Sequence, residues 1–135
     1  MKRILTTVVI LSVLAVSSCK KDDDAGTSED PIVGTWKYTK VLVDGKEGTP
    51  LSDCEKKGNY VFKADGTAED NYYDDVNTAC ELDKGTGTWK KNTDGTYTGT
   101  FKDAEDDYTE NFTLEGNELK IIDNLEPIVD IYTKQ

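Results

Sequence analysis

Gly87-Thr88-Trp89-Lys90-Lys91-Asn92-Thr93-Asp94-Gly95-Thr96-Tyr97-Thr98-Gly99-Thr100-Phe101-Lys102 holds the pattern that decides the fold. Tyr97, Gly99 and Phe101 alternate with Thr96, Thr98 and Thr100, a period of two that belongs to a strand with one face buried. Asp94-Gly95 just before them is a two-residue hairpin signal, because such turns need positive φ and Asp-Gly tolerates it. The same grammar extends in both directions. Trp36, Tyr38 and Leu42 alternate with Lys37 and Thr39, and further turn signals stand at Asp44-Gly45, Asp65-Gly66, Glu115-Gly116-Asn117 and Asn124 to Pro127. This punctuation predicts eight strands, over residues 32–43, 57–64, 67–74, 85–91, 96–102, 107–114, 118–123 and 127–133. Mostly tight connections make them an antiparallel meander. Closing the meander into an eight-stranded up-and-down barrel removes both exposed edges, while a β-sandwich is the competing all-β arrangement. No stretch of 3.6 periodicity follows residue 31, so helices are expected to be short or absent. Leu119 and Ile121 against Ile122, and Ile128 and Tyr132 against Val129 and Ile131, put apolar groups on both faces of the last strands, so a cover on the outer face is expected. The longest connection, Gly45 to Lys56, could lie over the barrel mouth or on those outer residues.

Composition narrows the function. The 135 residues contain 16 Lys plus Arg against 27 Asp plus Glu, a net charge of −11, and no His. Triads, general bases and zinc or haem sites that depend on His are therefore excluded. Nucleic acid is not an expected partner: phosphate binding needs clustered Lys or Arg, whereas the isoelectric point is near 4.4 and the only Arg is Arg3.

The first residues read as an address. Met1-Lys2-Arg3 is a short basic region, and Ile4 to Val16 is an apolar run broken only by Thr6, Thr7 and Ser12. It is shorter than the roughly 20 residues of a membrane span and fits a signal peptide over residues 1–18. Val16-Ser17-Ser18-Cys19 resembles a bacterial lipobox, which makes Cys19 the acylated first residue after cleavage. Several acyl chains anchor stably where a single chain does not. Lys20-Lys21-Asp22-Asp23-Asp24 resembles the surface-export signal of Bacteroidetes lipoproteins, and residues 19–31 continue as a flexible acidic tether. The expected location is the outer membrane, lipid-anchored and facing outward. Residues 32–135 then form one domain, large enough for a single core.

With Cys19 lipidated, Cys54 and Cys80 are an even pair in an oxidising compartment, which predicts one disulfide between the long first loop and the connection of strands three and four. A metal site is the alternative, and two Cys without His carry it poorly.

Gly34-Thr35-Trp36 opens the first strand, and Gly87-Thr88-Trp89 recurs in the fourth. Together with the lipobox, Asp53-Cys54-Glu55-Lys56-Lys57, the Tyr60 to Thr67 hairpin and Cys80 before Gly-Thr-Trp, they make residues 32–135 resemble the lipocalin-like lipoproteins of Bacteroidetes. The resemblance implies an eight-stranded barrel, a floor closed by Trp36 and a cavity for a small apolar ligand. Lipocalins stack an Arg near the last strand on that Trp. No Arg follows Arg3 here, and Lys134 is the cation placed to substitute.

By alternation Trp36, Tyr38, Tyr60, Phe62, Trp89, Tyr97, Phe101 and Phe112 point inward, either filling the core or lining a ligand cavity. Glu110 shares the register of Tyr108, Phe112 and Leu114; it is a candidate ligand contact if buried, or a strand-end group in water. The acidic clusters Glu69-Asp70, Asp74-Asp75 and Asp103 to Asp107 read as solvated turns, since the ligand spacing of a calcium loop is missing. No cofactor, metal or catalytic residue is assigned, and enzyme activity is not expected. The leading expectation is a carrier anchored to the membrane and binding a small hydrophobic ligand. The alternative is a non-catalytic interaction or structural module with a filled barrel, its protein partners unknown.

Overall fold

A computed structural model describes residues 29–76, 79–122 and 127–135. The expected signal peptide, Cys19 and residues 20–28 of the expected tether lie outside the described residues, as do residues 77–78 and 123–126, which take in most of the Asn124 to Pro127 turn signal. The strands are β1 Gly34–Val43, β2 Lys46–Glu47, β3 Asn59–Phe62, β4 Thr67–Asp74, β5 Glu81–Lys91, β6 Tyr97–Lys102, β7 Asp107–Glu115, β8 Glu118–Ile122 and β9 Ile128–Lys134. Neighbours pair antiparallel from β3 through β9. β1 joins β3 on one side and β9 on the other, so β1 and β3–β9 close an eight-stranded up-and-down barrel. Closure decides against the sandwich.

The turns follow from their residues. Asp44 and Gly45 both have positive φ, 51° and 74°, the mirror-image turn whose twist matches a hairpin. That turn folds β2 back onto β1, pairing Leu42 with Glu47 and Val43 with Lys46. Two residues carry no periodicity, so β2 falls within the Gly45 to Lys56 connection as the sequence alone presents it. Asp65-Gly66-Thr67 and Asp94-Gly95-Thr96 repeat one device: the Asp Oδ1 accepts both the N–H and the hydroxyl of the Thr, at 2.9 and 2.6 Å in the first and 3.0 and 2.6 Å in the second.

One irregularity redirects β1. The register with β9 shifts between Tyr38 and Lys40, so Thr39 is an extra residue that lets the strand bend. Beyond it Val41 faces Asp130, and Leu42 faces Val129. The simple alternation that grouped Leu42 with Trp36 and Tyr38 is thus wrong by one residue: the bulge carries Leu42 to the outer face.

The strand polarity sorts the connections into two ends. β3–β4, β5–β6 and β7–β8 turn at the end where Trp36 lies. The β1–β3, β4–β5, β6–β7 and β8–β9 connections lie at the other. The Trp36 end is sealed by the chain before β1: Ile32 is fully buried, and its carbonyl accepts the Trp36 indole N–H at 2.7 Å. Lys134 Nζ stands 5.3 Å from the Trp36 ring centroid and donates to the Pro31 carbonyl at 2.8 Å. Gly34 explains itself here: its φ is +135°, and a Cβ would lie 2.9 Å from Lys134 Cε.

At the opposite end, Ser52 and Glu55 form a reciprocal cap. The Glu55 N–H donates to Ser52 Oγ at 3.1 Å, and the Ser52 N–H donates to Glu55 Oε2 at 2.7 Å. A single 3-10 turn, Glu55–Lys57, follows. It packs against β1 and β4, so the long loop belongs to the mouth rather than to the outer face of β8 and β9. On that outer face the expected cover is partial. Ile131 is buried, flanked in register by Lys40 and Lys120, whose methylene stems suit such a position, whereas Ile122 is 48% exposed.

Cys54 and Cys80 form the disulfide, with Cα atoms 5.6 Å apart. It joins two connections of the mouth end. In the chain-entropy account, bridging a separation of 26 residues stabilises the fold by about 3.5 kcal/mol. The Cys54→Ala/Cys80→Ala variant is expected to lose about that much in urea unfolding, and a thiol count on the unfolded, unreduced protein is expected to find no thiol from this pair.

Candidate functional site

The barrel interior has two storeys. Near the sealed end, Trp36, Phe62, Phe101, Phe112 and Leu119 are at most 1% exposed. Their rings pack edge to face, Phe62 on Phe112 at 5.3 Å and Tyr60 on Phe112 at 5.2 Å, the arrangement that ring quadrupoles favour. Trp89 and Tyr97 complete this storey. Trp89 Nε1 donates to the Lys63 carbonyl at 2.8 Å, and the Tyr97 hydroxyl donates to Asp30 at 2.6 Å. These six aromatic residues of the sequence reading, Trp36, Phe62, Trp89, Tyr97, Phe101 and Phe112, therefore fill the barrel rather than line a space.

Above them lies a chamber of ≈ 300 Å³. Tyr38, Tyr60, Tyr72, Tyr108 and Tyr132 contribute rings, and Ile121 is the aliphatic contact. Asp70, Asp83, Glu110 and Asp130 contribute carboxyl groups. Of the sequence candidates, Tyr38, Tyr60 and Glu110 are the ones brought together here. Glu110 points inward, not into water at a strand end.

The polar groups bind one another. Tyr108 donates to Asp70 Oδ2 at 2.8 Å, and Tyr38 donates to Asp130 Oδ1 at 2.5 Å. The Tyr60 hydroxyl meets Asp70 Oδ2 at 3.1 Å and also Glu110 Oε2. A hydroxyl has one hydrogen, so two carboxylates cannot both receive it. One carboxyl must supply its own proton, and Glu110 is the group suited to it: burial pushes it up to about 7, against the pull of the Tyr60 bond. Burial raises Asp70 as well, with its bonds from Tyr108 and Tyr60 opposing. Tyr38, Tyr60, Tyr108 and Tyr132 are all raised, burial first, so they remain protonated donors.

Gly85 makes the Tyr108 to Asp70 contact possible. A Cβ there would lie 2.2 Å from the Tyr108 hydroxyl and 3.4 Å from Asp70 Cβ. Gly85 pairs with Asp70 across β4 and β5, and only a residue without a side chain leaves room.

Sequence reasoning missed Asp70, Asp83 and Asp130. Asp70 corrects the solvated-turn reading of Glu69-Asp70: both residues lie within β4, with Asp70 9% exposed and Glu69 outside on Lys63 and Lys84. The signal was present in the alternation, since Asp70 shares a face with Ala68 and Tyr72, and Asp130 shares one with Ile128 and Tyr132. The Asp103 cluster does form a turn, with Asp103 Oδ1 accepting the N–H groups of Glu105 and Asp106. Among the described residues no group of three Cys, Asp or Glu is placed to hold a metal ion.

The sequence model of the lipocalin-like domain matches residues 32–121. The chain belongs to the lipocalin-like domain family. A search of curated proteins found no match. Within this lipocalin-like barrel the matched segment runs from Ile32, the floor plug, to Ile121 on the chamber wall. It covers the sealed end and most of the chamber; Asp130, Tyr132 and Lys134 follow it. The stacking position over the first-strand Trp is held by Lys134, as its place in the sequence led one to expect.

Proposed function

We propose that this lipocalin-like domain is a carrier or receptor for a small ligand, held at the bacterial outer membrane by an acylated Cys19 and facing outward on its tether. The single observation that supports the binding role is the chamber: a barrel sealed at the Trp36 end and hollow above Tyr60. Its ≈ 300 Å³ equals the volume of about ten waters and stands at the lower bound of ligand pockets, about 300 Å³. A ligand with a largely apolar body has rings on several sides to rest on. The filled-barrel alternative suits the lower storey only. Binding rather than catalysis is also the general habit of this family's fold, although a fold does not by itself assign function.

Native mass spectrometry of residues 20–135, secreted through an oxidising compartment and never denatured, tests the binding role. An added mass that disappears on denaturation is expected; a bare polypeptide in every preparation would overturn it. Anchoring is tested separately in cells: labelled palmitate is expected to enter the protein and to be lost with Cys19→Ala. Protease applied to intact cells is expected to cleave the barrel from the surface, and protection until lysis would refute outward exposure.

A further inference from the structure

We propose that the chamber binds a small organic cation, a protonated amine carried on an aromatic or aliphatic body, with its nitrogen among Glu110, Asp70 and Asp130. The inference rests on the binding role above and specifies its chemistry. Among the described residues, every charged one that lines the chamber is an acid and none is a Lys. An anionic ligand would meet only repulsion there. An uncharged one would offer no counter-charge to the buried Asp70 or to the half-buried Glu110 and Asp130, groups that are costly to desolvate unpaired.

A second observation, independent of the acids, points to a ligand. Tyr132 is 7% exposed, and its hydroxyl has no hydrogen-bond partner among the described residues. Yet every sealed side-chain nitrogen or oxygen among those residues has a partner. The Tyr132 hydroxyl is therefore not sealed: its open side is the chamber that the residue lines. A hydroxyl open to the chamber on a side chain otherwise buried is a donor or acceptor that a bound molecule can engage. Its ring stacks on Tyr38 at 4.8 Å and meets Tyr60 at 5.0 Å, so three aromatic rings adjoin the carboxyl groups. Rings and carboxylates together are the surroundings that favour an ammonium over its neutral isostere.

An organic ammonium suits these walls better than a metal ion. The acids stand on β4, β5, β7 and β9, around the barrel wall, and no three converge on one point among the described residues. An ammonium nitrogen needs only one or two carboxylates at hydrogen-bond distance and is favoured by the others through their field across the chamber, whereas a metal ion needs several within its own coordination shell. The mouth adds a steering field, since Asp74-Asp75 at the end of β4 and Asp103 to Asp107, running into the start of β7, lie at the open end.

Calorimetric titration of the disulfide-bonded barrel with three probes of matched size tests the proposal: phenethylammonium, 2-phenylethanol and phenylacetate. Phenethylammonium is expected to bind at least tenfold tighter than 2-phenylethanol, and phenylacetate not at all. Glu110→Gln and Asp130→Asn, each checked for native near-UV dichroism, are both expected to weaken the ammonium by about tenfold and to leave the alcohol unchanged. Glu110 is faced by Tyr60, Asp70, Tyr108, Asp130 and Tyr132. A cation entering among them favours the ionised carboxylate, so binding is expected to tighten from pH 6 to pH 8. If the alcohol binds as well as the ammonium, the cation proposal fails while the binding role stands. If none of the three binds and the native mass is bare, both fail.

Discussion

Glu110→Gln is expected to stabilise the ligand-free barrel at pH 7.5 by up to about 3 kcal/mol, and to remove most of its pH dependence between pH 4.5 and 7. Burial raises the Glu110 carboxyl from 4.5 to about 7. Below pH 4.5 both folded and unfolded chains hold the proton, and the group contributes nothing. Between 4.5 and 7 the unfolded chain releases it and the folded chain does not, so stability falls as pH rises. At about 1.4 kcal/mol per unit the loss reaches about 3 kcal/mol above pH 7. Asp70, also raised by burial, acts in the same direction, which is why the difference between wild type and variant is the quantity to read. The opposite limb belongs to Glu69, held down by Lys84 and Lys63, and to Asp30, Asp65, Asp94 and Asp103, whose carboxyls are lowered as well. Burial opposes the lowering of Asp30, and hydrogen bonds, chiefly from Tyr97, outweigh it. The other three are held down by local turn bonds. Their stabilisation is lost as pH falls below about 4. Urea unfolding across pH is therefore expected to show greatest stability between about pH 4 and 4.5. Parallel profiles for wild type and Glu110→Gln would show that Glu110 is not ionised at this cost.

Trp36→Ala is expected to cost about 3–5 kcal/mol, the usual range for emptying a buried aromatic site. Trp36 is 1% exposed and lies in the cluster with Tyr60, Phe62 and Leu119. Truncation also frees the Ile32 carbonyl from the indole N–H that it accepts. Set against a typical net stability of about 5–15 kcal/mol, the loss is enough to unfold a modest domain at 37 °C. Lys134→Ala removes the stacked cation and its bond to Pro31, and is expected to cost only about 1 kcal/mol, because the ammonium is partly in water. Thermal unfolding of the two variants checks the ratio. A Lys134 effect as large as that of Trp36 would mean that the cation, not the ring, closes the floor.

Much of this was legible before any coordinates. The eight main strands agree with the periodicity to within a few residues, because which face a side chain takes is a local property of an extended backbone. Glu81 to Lys84 escaped, since Glu-Leu-Asp-Lys is almost entirely charged and exposed, and its place in β5 comes from pairing with β4. The Cys54 to Cys80 bridge was readable from count and parity; the inward Glu110 was one of two positions that its register allowed, and Lys134 over Trp36 followed from the resemblance to lipocalins.

By itself, then, the amino-acid sequence determined the strands, their turns, their buried faces and the disulfide, each a matter of neighbours a few residues apart or of simple counting. Only the tertiary structure decided that the barrel closes, that a bulge at Thr39 moves Leu42 outward, and that Asp70, Glu110 and Asp130 share one hollow with Tyr132. Alternation says that each of them faces inward; what each faces depends on strand tilt and on the β1 to β9 register, which link residues some ninety positions apart. The division between a filled storey and an empty one arises the same way, because unfilled volume belongs to all the walls together and to no single strand.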